Sequence, residues 1–312
     1  MLMTNLWRSI FPVLTVLAAI IALWTLAVIP MNAQLAADLA QRDGMVITPE
    51  DPQTRSELAG INIVWQNPGI IPRTFSLDRA RLPSPHQVAG ELWATTVDVR
   101  PTSKRSLIYH GWVTLSATLL GFAIGASLGV GLAVGIVYSR TMDRSVMPWA
   151  IISQTIPILA LAPMIIVLLG NFGFRGLIPK ACIAAFLSFF PVIVGMVKGL
   201  RSPDGMQLDL LHTYSASANQ GFWKLRLPAS VPYLFASAKI GISAALIGTI
   251  VAELPTGALS GLGARMLVGE QYSNMLISWA ALFAAGITAA LMVGIISGVE
   301  RLTLRRMGMR RA

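Results

Sequence analysis

The chain has 312 residues, of which 54% are hydrophobic and 12% charged, half the charged fraction of roughly 25% found in soluble domains; an ordinary soluble protein is excluded. The formal charge is +10, but the bases are dispersed and lack the interleaved aromatics of a nucleic-acid surface. The single Cys182 lies in an apolar run and His86, His110 and His212 are far apart, so no disulfide framework, metal site or histidine-based catalytic centre is expected.

The first apolar run, Ile10 to Ile29, carries no charge. At about twenty residues it crosses a hydrocarbon core of about 30 Å as a helix. It exceeds the apolar core of a signal peptide and is preceded by one base, Arg8, so residues 1–30 are read as a retained transmembrane anchor.

Residues 31–106 form a long polar segment. LAADLAQRD is expected to continue the first helix briefly, and the proline-bearing middle, IVWQNPGIIPRTF, to be irregular. Ser84-Pro85-His86-Gln87 has the form of a capping box with proline at the first helical position, which predicts a helix over about 85–97. An interfacial helix leading into the second span is the reading preferred to contact with an external partner.

Five further apolar segments follow at about 110–137, 149–170, 178–197, 229–252 and 274–298, making an all-α protein with six transmembrane helices. The second span is rich in glycine: Gly121, Gly125, Gly129 and Gly135 suit close helix approach, within the chain or between subunits. The third span carries Pro157 and Pro163, which fit either a packed kink or the lining of a pathway. Gln154 precedes them. Lys239 enters the fifth span; snorkelling to the interface is expected rather than reception of an anion.

Bases choose the orientation. The N-terminal tail, the loop 139–148, the loop 198–227 and the tail after 300 hold Arg8, Arg140, Arg144, Lys198, Arg201, Lys224, Arg226, Arg301, Arg305, Arg306, Arg310 and Arg311, against Arg175, Lys180 and Arg265 on the opposite short connections. The first set, with both termini, is therefore expected in the cytoplasm, and the segment 31–106 outside. Glu253 then ends the fifth span on the outer side, as a solvated helix end or as a gate or docking contact.

The chain lacks a G-x-x-x-x-G-K-[ST] cradle, an H-E-x-x-H helix and a G-x-S-x-G elbow, so neither ATP hydrolysis nor intramembrane hydrolysis is expected of it. Ionisable groups are scarce in the spans, which speaks against a proton relay or ion-coupled carrier. In the loop 199–228, Ser202-Pro203-Asp204 reads as a helix start, Asp209 to Ser217 as a short helix, and Phe222 to Leu227 as a second piece halted or kinked by Pro228.

This loop, DLLHTYSASANQGFWKLRLPASVP, resembles the cytoplasmic signature of permease subunits of binding-protein-dependent ABC importers. Asp209 stands at the signature's glutamate, Leu210 and Leu211 at its two alanines, Ser215 at its glycine, and Leu227-Pro228 completes it. LPSPHQV, LLGFAIGASLGVGLAVG, TIPILALAPMIIVLLG, and Val251 to Glu253 with Gly261 to Gly263 resemble the nitrate, sulfonate and taurine branch in the same order. Ser215 departs from a glycine that admits a left-handed turn, Asp209 is one methylene short, and Ala117 replaces a frequent arginine. Residues 31–81 have no counterpart.

The resemblance implies a type I importer permease in the bacterial inner membrane, with residues 107–300 as a five-helix core and 301–312 as a basic tail. It implies a coupling helix received by two cytoplasmic ATPase subunits, which bind the ATP and Mg; no cofactor belongs to this chain. It also implies an extracytoplasmic solute-binding protein and a second permease subunit, here expected to be identical. Asp209, His212, Tyr214, Ser215, Ala216, Asn219, Gln220, Gly221, Leu227 and Pro228 are the expected coupling residues. Tyr214, Phe222 and Trp223 offer apolar anchors, Asn219 and Gln220 can bond exposed backbone, and Lys224 and Arg226 mark the inner boundary. Gln154, Pro157, Pro163 and Glu253 are the expected pathway or gate residues, with Pro255 in the same outer turn. The implied solute is a sulfonate, taurine or nitrate, with a thiamine-precursor pyrimidine or similar organic molecule as the alternative. A membrane scaffold without transport and a carrier acting alone are the rival classes.

Overall fold

The computed structural model describes residues 2–254 and 260–309, with side chains described from Phe11 onward. Arg8's side chain, Pro255, Arg310 and Arg311 thus lie outside the described residues. The described chain is helical and has no strand among those residues. Its contacts divide it into two units: residues up to Leu107 together with Arg265–Phe283, and Ile108–Ala264 together with the chain from Ala284.

In the first unit α1 (Leu2–Arg42) runs well past the expected span. An alanine stripe on its far half, Ala33, Ala36, Ala37 and Ala40, is fully buried against Ile47, Ile63, Ile70 and Leu77. Alanines there admit short helices at close range. The segment expected to be irregular therefore forms α2 (Pro52–Glu57), α3 (Gly60–Gln66) and α4 (Ile71–Thr74), which gain stability from α1 rather than from their own length. Asn32, buried in the helix, donates to the Thr74 and Leu82 carbonyls at 3.0 and 2.9 Å and accepts the Leu82 N–H at 3.1 Å. Arg55, also fully buried, bonds Asp38, Gln41 and the Pro49 carbonyl. The capping-box helix appears as α5 (Pro85–Thr96), with Gln87 accepting the Ser84 N–H at 3.1 Å. Trp24 stacks on Trp279 and Phe283 at 5.1 and 5.5 Å.

The second unit is built from α6 (Leu107–Tyr138), α7 (Arg140–Ser153), α8 (Ile158–Asn171), α9 (Leu177–Leu200), α10 (Gly205–Thr213), α11 (Ala218–Gly221), α12 (Leu227–Glu253), and the ends of α13 (Leu262–Gln271) and α14 (Met275–Arg306) that fall within it. Among the described residues, five stretches are long and apolar enough to cross a membrane: α1 from Phe11, α6, α9, the run Ala218–Glu253, and α14. The expected third span departs from a single kinked helix. It is α7 and α8, bent by 100° at Gln154–Pro157, and raises the number to six when counted as one broken span. Pro157 lacks the N–H that would continue α7 and instead begins α8 as its N-cap, whereas Pro163 is accommodated inside α8.

Glycines set the core spacing. A Cβ on Gly121 would meet the Ala184 Cβ at 2.4 Å and one on Gly125 the Ser188 Oγ at 2.2 Å, so α6 and α9 pack backbone to backbone. On α9 itself, Gly195 and Gly199 receive Ser237 and Ser230 of α12 in the same way. The glycine face of the second span is thus consumed inside the chain.

Gly125→Leu should force α6 from α9 and cost about 1–3 kcal/mol, seen as a lowered thermal midpoint in detergent. An unchanged midpoint would disprove the close packing.

Candidate functional site

Two places concentrate polar structure in the second unit. The first lies where α12 ends. Glu253 is fully buried, not a solvated helix end. Its Oε1 accepts from Lys180 Nζ of α9 at 3.1 Å and the Thr114 hydroxyl of α6 at 3.0 Å, and its Oε2 accepts the Gly263 N–H at 2.8 Å. The chain after Ser260 is held by the same three helices: Lys180 Nζ donates to the Ser260 carbonyl, Gly261 N–H to His110 Nδ1, and Leu262 N–H to Thr114 Oγ1. Nδ1 of His110 therefore accepts, which leaves any ring proton on Nε2.

The glycines here answer to Glu253. A Cβ on Gly261 would fall 2.1 Å from the carboxylate, and φ at that residue is +129°. One on Gly263 would fall 2.5 Å from the Ile250 carbonyl. Lys180, counted in the sequence as an exposed loop base, is 6% exposed. Sequence reasoning missed its pairing, as it missed Thr114 and His110; the charge at the edge of an apolar run was the available signal. α8 packs beside this cluster through Ala162 on Ile183 and Ala252, while Gln154, Pro157 and Pro163 are exposed. Those three are not drawn into the Glu253 cluster. Lys239, expected to snorkel, instead pairs with Glu300 of α14 at 2.5 Å.

The second place is the connection from α9 to α12. α9 ends at Leu200, and Arg201 pairs at its exposed end with Asp143 of α7. Asp204 caps α10, with its N–H donating to Gln207 Oε1 at 3.3 Å. α10 closes on a Schellman motif: the Ala216 N–H reaches the Leu211 carbonyl at 3.0 Å and the Ser215 N–H the His212 carbonyl at 2.9 Å. That motif needs a left-handed residue, and Ser215 supplies it with φ +52°. The family's glycine position is thus the helix stop, and serine occupies it with strain.

Ser217 then caps α11, its N–H donating to Gln220 Oε1 at 2.9 Å. Gln220, expected to be able to bond exposed backbone, bonds backbone of its own chain at this cap. Pro228 does not halt the following helix. A π-turn over Phe222–Arg226 places the Leu227 N–H on the Phe222 carbonyl, and the helix continues into α12. The wider turn accommodates the donor that proline lacks. Arg226, expected to mark the membrane boundary, donates to the Leu200 carbonyl at 2.9 Å and ties the two helix ends together.

The segment presents an apolar row among its exposed residues. Met206 is 82%, Leu210 57% and Tyr214 77% exposed, spaced four apart along α10, with Trp223 61% exposed nearby in sequence. Asp209, His212, Asn219 and Ser215 are also exposed, Gly221, Ala216, Leu227 and Pro228 half-buried. Leu208, Leu211, His212, Ala216 and Gly221 line a hollow of about 200 Å³ inside the segment. Met206 was not singled out in the sequence, and Leu210 was named there only at an alanine position of the signature, not as an exposed anchor.

Residues 121–308 match the family described as binding-protein-dependent transport system inner membrane component. The chain is 33% identical over 72% of its length to the riboflavin transport system permease protein RibX of Chloroflexus aurantiacus, covering 80% of that protein. It is 32% identical over 58% of its length to the formylaminopyrimidine transport permease protein ThiX of Halalkalibacterium halodurans, covering 68% of it. It is also 24% identical over 83% of its length to the nitrate import permease protein NrtB of Synechocystis, covering 91% of it.

Lys180→Met leaves a buried carboxylate without its cation and should cost about 3–5 kcal/mol; adding Glu253→Leu should cost less than the two single changes summed, as a double-mutant cycle of thermal stability would show. Strict additivity would exclude the pair. Ser215→Gly should stabilise by about 1 kcal/mol through relief of the left-handed strain, and Ser215→Val should destabilise; the reverse order would contradict the helix stop.

Proposed function

The chain belongs to the inner membrane components of binding-protein-dependent transport systems, and from that premise we propose that it forms the pathway for a small organic solute, driven by a cytoplasmic ABC ATPase. The observation that carries this reading is α10 itself, a short helix capped at both ends that presents Met206, Leu210 and Tyr214 outward. A stiff, apolar-faced element suits a groove on a partner, and aromatic anchors dominate such interfaces. In this reading the α10–α11 segment faces the cytoplasm with both termini, and ATP and Mg belong to two ATPase subunits. A second permease subunit, identical to this one, completes the pathway.

The end of α12 then faces outward, toward a solute-binding protein. The Glu253 cluster holds the loop at 260–263 as a fixed element there, so Glu253 acts as a positioning residue for that loop. Gln154 and Pro157 at the break, with Pro163 on α8, are the pathway candidates, exposed where a broken helix leaves polar backbone in need of a wet cavity.

The solute is proposed to be a heterocyclic organic molecule, of the kind named for the riboflavin and formylaminopyrimidine relatives. Lys180 and Lys239, cations inside the bundle, are each held by a carboxylate and so are poorly placed to receive a free anion. A sulfonate or nitrate is the second reading, favoured by the length of the match to the nitrate permease. Mass spectrometry of the ligand retained by the cognate binding protein separates the two.

Leu210→Asp combined with Tyr214→Ala should abolish solute-stimulated ATP hydrolysis in proteoliposomes containing the ATPase, with the permease's thermal midpoint unchanged, since both side chains are exposed. Stimulation retained in the double variant would sink the coupling role. Transport by the permease without any ATPase would instead favour a self-sufficient carrier.

A further inference from the structure

The first unit holds a second apolar surface, on α3. Ile63 and Val64 face the core beside α1, but Ile61 and Trp65, one helical turn apart on the other side, are 57% and 87% exposed. A tryptophan so exposed is costly in water unless something apolar or amphipathic covers it. Its height relative to the bilayer can be read from α1. The uncharged run begins at Ile10 and its exposed apolar part starts, within the described side chains, at Phe11. About twenty helical residues cover the hydrocarbon core of about 30 Å, so the core ends near Pro30.

α3 starts at that level. A Cβ on Gly60 would lie 1.9 Å from the Pro30 carbonyl oxygen, so the first residue of α3 touches α1 at the edge of its span. Only glycine permits this approach. Ile61 follows directly, and Trp65 lies five residues from Gly60, at most about 8 Å away along the helix axis. A headgroup layer is about 5–8 Å thick on each side of the core; because Ile63 and Val64 of α3 pack with Ala33, Ala36, Ala37 and Ala40, all beyond Pro30, α3 does not turn back into the core, and both side chains fall within or at the border of that layer.

The neighbouring contacts agree. Asn32 bonds Thr74 and Leu82, so the chain at 74 and 82 also meets α1 just past the end of the span. In contrast, α2 sits higher. Arg55 pairs with Asp38, eight residues beyond Pro30 and about 12 Å along the helix. At the head of α2, the exposed Asp51 carboxyl is held below the usual range by hydrogen bonds from Thr54 and Gln53.

We propose that the Ile61–Trp65 face of α3 is a membrane-contact surface, seated in the headgroup layer of the leaflet where α1 leaves the bilayer. Tryptophan is enriched at this depth because its ring is apolar and its N–H can bond carbonyls and water. The contact braces the first unit against the bilayer at a point away from the axis of α1, so that the unit is held in orientation as well as anchored.

The test is depth measurement on the full chain in phosphatidylcholine vesicles, in a Cys182→Ser background. Spin labels at Ile61→Cys, Trp65→Cys and, as a water reference, Gln53→Cys are compared for collision with oxygen and with a water-soluble nickel complex. Labels at 61 and 65 should show a several-fold loss of nickel collision relative to 53 together with a gain in oxygen collision. Nickel access equal to that at 53 overturns the proposal, as does shielding from both reagents, which would signify a protein cover. Quenching of the same positions by headgroup-labelled lipid, with Trp65→Phe retaining the fold, gives an independent readout: no quenching at 61 also overturns it.

Discussion

A carboxylate without solvent has to be paired, and Glu253 sets the geometry of one whole end of the bundle by this rule. Lys180 from α9, Thr114 from α6 and the N–H of Gly263 converge on it. The pairing draws three helix ends together, and through Ser260, Gly261 and Leu262 it also draws in the chain that follows. Gly261 has meaning around that carboxylate, since any Cβ there would occupy the space of its oxygens, while Gly263 makes room first for the Ile250 carbonyl. An interior charge pair rarely adds net stability over an apolar substitute, but removal of one member is severe, which favours a single arrangement.

The opposite end of the same unit follows different rules. The connection from α9 to α12 shows no buried charge pair among the described residues; each short helix there is closed by local caps, at Asp204, Ser215 and Ser217. Local closure leaves the apolar side chains of α10 outward, free for a partner. The two ends are joined by one continuous helical run, Ala218–Glu253, of 36 residues. Such a run is about 54 Å long. In the proposed function, a displacement received near α11 reaches the Glu253 cluster along this rod, and the π-turn that absorbs Pro228 keeps the rod unbroken.

The first unit solves another problem, the stability of a short polar insertion. α2, α3 and α4 are too brief to persist alone, and α1 offers them a rigid alanine face with Asn32 and Arg55 as internal pins. One helix whose first half is long and apolar enough to cross a membrane thereby serves, in its second half, as the core of a small helical unit.

Composition and apolar run lengths were sufficient for an all-helical membrane protein, because length against bilayer thickness is a local property. The capping box at Ser84 was legible for the same reason, since caps are decided within a few residues; Ser215 was marked only by the resemblance to a signature glycine, while the local pattern carried the helix on to Ser217 instead of ending it at Thr213. Long-range pairing was not legible. Lys180 and Glu253 are 73 residues apart, and Lys239 and Glu300 are 61 apart; no local pattern distinguishes such partners from a solvated loop base or a snorkelling lysine. The break at Gln154–Pro157 was equally hidden, because a proline tells where a helix is weakened while neighbouring helices decide whether it bends or parts. Sequence alone thus determined the long apolar helices and the capped start at Ser84; the tertiary structure decided that α3 and α4 form, where the third span breaks and which charges are buried together, since each depends on what the rest of the chain places around a segment.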